Sequence, residues 1–187
     1  MFADAFVSDQ PIGEVWLVSD REGRASRVLG GPFDGRSLRG LMLSEREALL
    51  GDAQPSPDGS FPLLIKLLEA RQNLSVQVHP DESAAKSLGS SAKNECWYVL
   101  DAEPEAEVLL GIAEGVDRSE FARDASTARV IDLLRRFPVR AGEAVDVPAG
   151  TVHGICAGIA GSRPSGVRPW SSFSCSRKVG KALGRIV

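Results

Sequence analysis

Histidine is almost missing from this chain, with two in 187 residues: His79 in "NLSVQVHPDES" and His153 in "VPAGTVHGI". Both stand beside a proline and a short strand-like run, which raises the question of whether they meet in the fold. Cysteine is nearly as scarce. Cys96, Cys156 and Cys175 are odd in number and at no metal-like spacing, so a disulfide framework is not expected and a reducing cytoplasm is. No apolar run reaches the roughly 18 to 20 residues that span a bilayer. "MFADAFVSDQPIGEVW" lacks both a basic n-region and an apolar h-region, which argues against a signal peptide. Acidic residues are missing altogether after Asp146. Residues 1–156 carry 16 basic and 25 acidic side chains, a net charge of −9. Residues 157–187 carry six basic ones (Arg163, Arg168, Arg177, Lys178, Lys181, Arg185), a net charge of +6. Such a tail is either an arm for nucleic acid or an anionic surface, or a segment under different sequence constraints from the body.

What is there is ordinary for a globular protein, at 43% hydrophobic and 25% charged, and long enough for one real core. "GEVWLVSD" and "GGPFDGRS" read as strand and turn. Ser44 with Glu47 forms a capping box for a short helix over "EREALL" that Gly51 closes, and "GDAQPSPDGS" is a loop. "FPLLIKLLEA" fits a buried strand or a helix segment. "LSVQVH" alternates, with Leu74, Val76 and Val78 on one side and Ser75, Gln77 and His79 on the other. Pro80 ends that strand and Asp81 caps a brief helix through "ESAAKSL". "ECWYVL" and "AEVLLGI" are two further strands joined by an acidic turn. From Ser119 the period changes: Phe121, Ala125, Ala128, Ile131 and Leu134 share one face of a helix ending at Pro138. "AGEAVDVPAGTVHGI" returns to strand, turn, strand. Short helices between many strands favour a barrel or jelly roll over a βαβ array.

On one strand face, Gln77 and His79 are spaced to share a metal ion. Glu95 would add a carboxylate and His153 a second imidazole, an N₂O₂ set suited to zinc or a similar divalent ion. From the residues alone this stays open, because a lone histidine near a strand end is more often a surface or hydrogen-bonded residue, and glutamine is an uncommon ligand.

"LSVQVHPDE", "KNECWYVL" and "PVRAGEAVDVPAGTVHGI" closely resemble the type I phosphomannose isomerases. These are zinc-dependent cupins that interconvert mannose 6-phosphate and fructose 6-phosphate. "PIGEVWLVSD" and "FPLLIKLLEARQNLSVQVHPD" are similar to that family too, in the same order, over about residues 11–159. The resemblance implies a mainly β fold, a cupin-type jelly-roll barrel with short helical insertions. It also implies one zinc ion per chain, held by Gln77, His79, Glu95 and His153. By the same resemblance Lys93 meets the substrate phosphate, Ser75 offers a hydroxyl to phosphate or sugar, and Lys66 and Trp16 line the pocket. Lys93 and Lys66 are the candidate catalytic groups. The expected partner is a small sugar phosphate, with no nucleic acid and no membrane. The expected chemistry is proton transfer between adjacent carbons through an enediol, with zinc polarising the carbonyl and a lysine as point charge for phosphate.

The resemblance breaks after "HGICAGI". Ser162 and Arg163 stand where the family carries a pocket glutamate, and no "YDWGR" stretch follows. The expected organisation is a cupin-like domain over residues 1–159 and a divergent basic tail over 160–187 that could be disordered. A shifted reading frame or an early end of the coding region would produce such a tail. The barrel would then be incomplete at its C-terminus, with edge strands exposed and His153 loosely held. The competing function is a truncated cupin that binds metal or phosphosugar without turning it over.

Overall fold

The segment "FPLLIKLLEA" resolves as a strand in the computed structural model, which describes residues 13–159 and the backbone of residues 172–177. Strand β2 (Leu63–Leu68) lies between β1 (Glu14–Val18) and β9 (Ser172–Arg177). Its Leu64 and Leu67, on opposite faces, are both buried. A strand covered on two faces reads as a continuous apolar run, which is why its period was ambiguous.

The five-stranded sheet runs β1-β2-β9-β4-β7, with β4 at Asn94–Val99 and β7 at Ala144–Val147. The four-stranded sheet runs β3-β8-β5-β6, with β3 at Gln77–Val78, β8 at Val152–Ile155, β5 at Glu107–Ile112 and β6 at Leu134–Pro138. Every pairing is antiparallel. The two sheets share one core: Trp97, Val99 and Val147 from the first meet Val108 and Ile155 from the second. The acidic turn after β4 therefore carries the chain from one sheet to the other. Alternation along β5 sends Val108 into this core and Leu109 to the far face, where Leu134, Cys156, Phe121 and Ile131 cover the sheet. The architecture is the mainly β, two-sheet arrangement expected. Among the described residues, no helix is long and apolar enough to cross a membrane.

Four expectations need correction. Ser44 is no N-cap. It ends helix α1 (Leu38–Ser44), which Ser37 caps by accepting from Gly40 N–H at 3.0 Å. The Ser44 hydroxyl is engaged by Arg36 at 2.6 Å, and α2 (Arg46–Leu50) starts without a side-chain cap, although Gly51 does close it. The helix expected from Ser119 to Pro138 is three elements: α4 (Arg118–Asp124), a 3-10 helix (Ala128–Leu133) and β6. Asp117 caps α4, accepting from Glu120 N–H at 2.8 Å. Apolar residues that fitted one helical face instead pack from three elements onto one sheet. The alternation over 74–79 is also interrupted, with Leu74 against the central core and Val76 against the outer cluster. As expected, Asp81 caps α3 (Glu82–Ser87).

The fourth concerns the tail. Within the expected tail, residues 172–177 form β9, which pairs with β2 on one side and β4 on the other. The remaining tail positions, 160–171 and 178–187, including Ser162 and Arg163, lie outside the described residues.

Candidate metal centre

His153 sits on β8, a central strand, with Gln77 of β3 and Leu110 of β5 as its register partners. Gly154 next to it faces Leu109 and Val76 in the outer cluster, so His153 points between the sheets, where it is 4% exposed. Its ring is fixed at two points. Nδ1–H donates to the Thr151 carbonyl at 2.8 Å, and the Trp97 ring meets it edge-on at 5.6 Å. With the proton on Nδ1, Nε2 carries the lone pair. The expectation of a loosely held His153 is overturned.

His79 follows β3, and its own backbone docks the turn that precedes β8: Gly150 N–H donates to the His79 carbonyl at 2.7 Å. Gly150 has φ +86°, and a Cβ there would stand 3.6 Å from Asp81. Glycine is needed for the backbone conformation. Asn94 reinforces the same turn, its Oδ1 accepting from Ala149 N–H at 2.8 Å. The two histidine rings are thereby held 5.0 Å apart.

Glu95 approaches from β4 in the other sheet. Its Oε1 lies 3.2 Å from His79 Nε2 and its Oε2 lies 3.9 Å from His153 Nε2. Trp97, two residues along on the same face, donates its indole N–H to Oε2 at 3.0 Å. The ammonium of Lys93 contacts Glu95 Oε1 and lies 2.9 Å from His79 Nε2. Burial pushes the Glu95 pKa up, but the hydrogen bond and charge of Lys93, with the Trp97 hydrogen bond, outweigh it and hold the carboxyl below its usual range. Burial, then the Lys93 charge, keeps His79 below its usual value and so neutral. Two imidazoles and one ionised carboxylate, with ligand atoms all within 4.8 Å of one another, make a donor set that fits a divalent ion such as zinc. The cationic head of Lys93 already settled among them shows that the site favours positive charge.

Gln77 is half a step outside this cluster. It is exposed beside His153, and its amide N–H₂ donates to Ser75 Oγ at 2.9 Å, which leaves the amide oxygen as its ligand atom. Lys66 and Trp16 are register partners on β2 and β1. Lys66 is in line with Trp97 across β9, one row from Glu95 on the same sheet face, but two strand spacings separate β2 from β4, roughly 10 Å. Both side chains converge on Glu14 instead, Lys66 Nζ at 3.0 Å and Trp16 Nε1 at 2.8 Å. His79 and Lys93 also open into a cleft of about 790 Å³, whose wall includes Arg21, Arg39, Ser56 and Ser90. Sequence reasoning missed Trp97, Thr151 and Asn94, which orient the ligand set. Trp97 alone left a signal, lying two positions from Glu95 on one strand.

The chain belongs to the type I phosphomannose isomerase family: residues 3–117 match the family's catalytic domain, "Phosphomannose isomerase type I, catalytic domain". The probable mannose-6-phosphate isomerase GmuF of Bacillus subtilis (strain 168) is 39% identical over 161 residues, 83% of this chain and 49% of that protein. The crystal structure of the mannose 6-phosphate isomerase from Bacillus subtilis matches 90% of this chain and 49% of its own, with a TM-score of 0.72 at 29% identity. A zinc-bound mannose 6-phosphate isomerase has the same fold, with a TM-score of 0.59 at 18% identity, over 90% of this chain and 60% of that one. The chain spans about half the length of the curated relatives it matches.

Proposed function

We propose that this chain interconverts mannose 6-phosphate and fructose 6-phosphate, using one zinc ion held by Gln77, His79, Glu95 and His153. The observation that carries this reading is the convergence of His79, Glu95 and His153 from two sheets, with ligand atoms within 4.8 Å. Family membership and the zinc bound to a relative of the same fold support it. Bound zinc would supply a Lewis acid to polarise the sugar carbonyl.

The chain's own residues prepare that chemistry. Thr151 fixes the His153 tautomer. Trp97 and Lys93 keep Glu95 ionised and oriented. The isomerisation takes a proton from one of the two carbons C1 and C2 and returns it to the other through an enediol. Lys93 and Lys66 supply positive charge to the reacting substrate and its phosphate, Ser75 a hydroxyl, and Trp16 a wall. Burial pushes the Cys96 and Cys156 thiols up, so neither is a ready nucleophile. Both are free thiols, in keeping with a cytoplasmic enzyme.

Turnover of mannose 6-phosphate by the zinc-loaded chain, with His79→Ala as the blank, is the test. Turnover above the blank is expected, and a rate equal to the blank overturns the reading. The second reading, a chain that binds metal or phosphosugar without turnover, rests on Ser162 and Arg163 standing where the family carries a glutamate. Equal rates together with retained sugar-phosphate binding would establish it.

A further inference from the structure

We propose that Arg21 and Arg24, with Lys66, form an anion cradle around Trp16 that takes the phosphate of the sugar phosphate. The inference rests on the sugar-phosphate reading above and adds two residues to it.

The stretch "REGR" builds the cradle. Arg24 N–H donates to the Arg21 carbonyl at 3.0 Å, closing a β-turn, and Gly23 takes the φ of +70° that the third position of such a turn requires. The turn brings its first and fourth residues together, so both arginines leave it on the side of β1. Their guanidinium carbons lie 5.6 and 5.2 Å from the centre of the Trp16 ring, and Lys66 Nζ lies 5.1 Å from it. Three cations thus crowd one indole. Glu14 is the carboxylate paired within the group, through Lys66 at 3.0 Å. Burial opposes its ionisation, but the hydrogen bonds of Trp16 and Lys66 and the charges of Lys66 and Arg24 hold it below its usual range. Glu22, at the tip of the turn, and the other described carboxylates form no ion pair with either arginine.

Like charges repel unless something draws them together, and here the ring does part of that work. A guanidinium beside an aromatic ring can keep its N–H fork for oxygen atoms, and that fork matches a phosphate bidentately. Lys93, the other cation offered for the phosphate, is already engaged by Glu95 and His79. Arg21, alone of the four cradle residues, also lines the cleft onto which His79 and Lys93 open, so one arm of the cradle reaches the space beside the metal centre. Trp16 and Lys66 share the sheet face of Glu95 and Trp97.

Isothermal titration calorimetry of the zinc-loaded full chain tests this with three probes: fructose 6-phosphate, fructose and inorganic phosphate. Arg21→Gln/Arg24→Gln should weaken fructose 6-phosphate about tenfold, the loss of at least one charge-assisted contact, and weaken inorganic phosphate as well. Fructose binding and thermal unfolding should not change. Arg24→Gln alone should give part of the loss, which keeps the test open if the double variant misfolds. Unchanged binding of both phosphate probes, an equal loss for fructose, or no phosphate binding by the wild type at millimolar concentration overturns the cradle. If inorganic phosphate is bound and lost on substitution while fructose 6-phosphate binds no better than phosphate, the cradle stands and the sugar-phosphate reading falls.

Discussion

His153 Nε2 lies 3.9 Å from Glu95 Oε2 although the two residues stand on different sheets. The gap between sheets is bridged only because Thr151 and Trp97 hold the imidazole in one orientation. His153→Ala should therefore reduce zinc affinity by more than the roughly 10–100-fold that an outer-shell change costs. Competition against a chromogenic chelator measures this, and unchanged affinity would remove the cluster as a metal site.

Trp97→Phe keeps the ring packing and deletes the N–H that Glu95 Oε2 accepts. A buried acceptor left short of a donor costs about 1–3 kcal/mol of stability, read from a urea titration. Glu95 also becomes less acidic, so the pH at which bound zinc is released should move up. A release profile that coincides with wild type would mean that the indole only packs.

Acid should destabilise the metal-free chain in two stages. His79 has a lowered pKa in the fold, so its stabilising contribution is complete above the unfolded value of about 6.5 and is lost as pH falls through the folded value. Glu95, also lowered, follows the same sign from the unfolded carboxylate value of about 4.3 downward. Thermal unfolding midpoints should fall as pH drops below neutrality, and His79→Asn should flatten the upper part of that slope while leaving the lower part.

The two serines near α1 offer a separate check. Ser37→Ala removes the hydroxyl that caps the helix and should cost about 1 kcal/mol. Ser44→Ala loses two exposed contacts, one from Arg36 and one to the Gly40 carbonyl, and should cost less than half as much. Equal losses in a denaturant titration would restore the capping box that the sequence suggests.

The meeting of His79, Glu95 and His153 was legible because motifs of eight or more residues surround each of them, and because Pro80 and "PAG" mark where the two histidine segments turn. Asp81 as a cap and Gly51 as a helix end were legible for a local reason, since each acts within one turn of chain. What stayed hidden depends on distant partners. The span 119–138 fits a helical period, yet β5 offers its final five residues a strand to pair with, and pairing overrides local preference there. Ser44 fits the capping-box pattern that Ser37, with Gly40 three residues on, does not, yet the Ser37 hydroxyl accepts from Gly40 N–H and Ser44 ends the helix. Trp97 stands two positions from Glu95 and Thr151 two from His153, but the contact of Trp97 with His153 depends on the meeting of the two sheets. The turn at "REGR" was not singled out in the sequence, and its closure onto Trp16 required the path of β1.

β9 separates the two strands that carry Lys66 and Glu95. A strand in that position contributes N–H and C=O groups to both neighbours, and any residue but proline supplies both groups. The distance between Lys66 and Glu95 is thus set by the width of an interposed strand. Its lettering matters far less, so a segment with an unfamiliar composition can serve as the shim that sets the width of the pocket. A single proline within 172–177 would do more harm to that spacing than wholesale replacement of its serines.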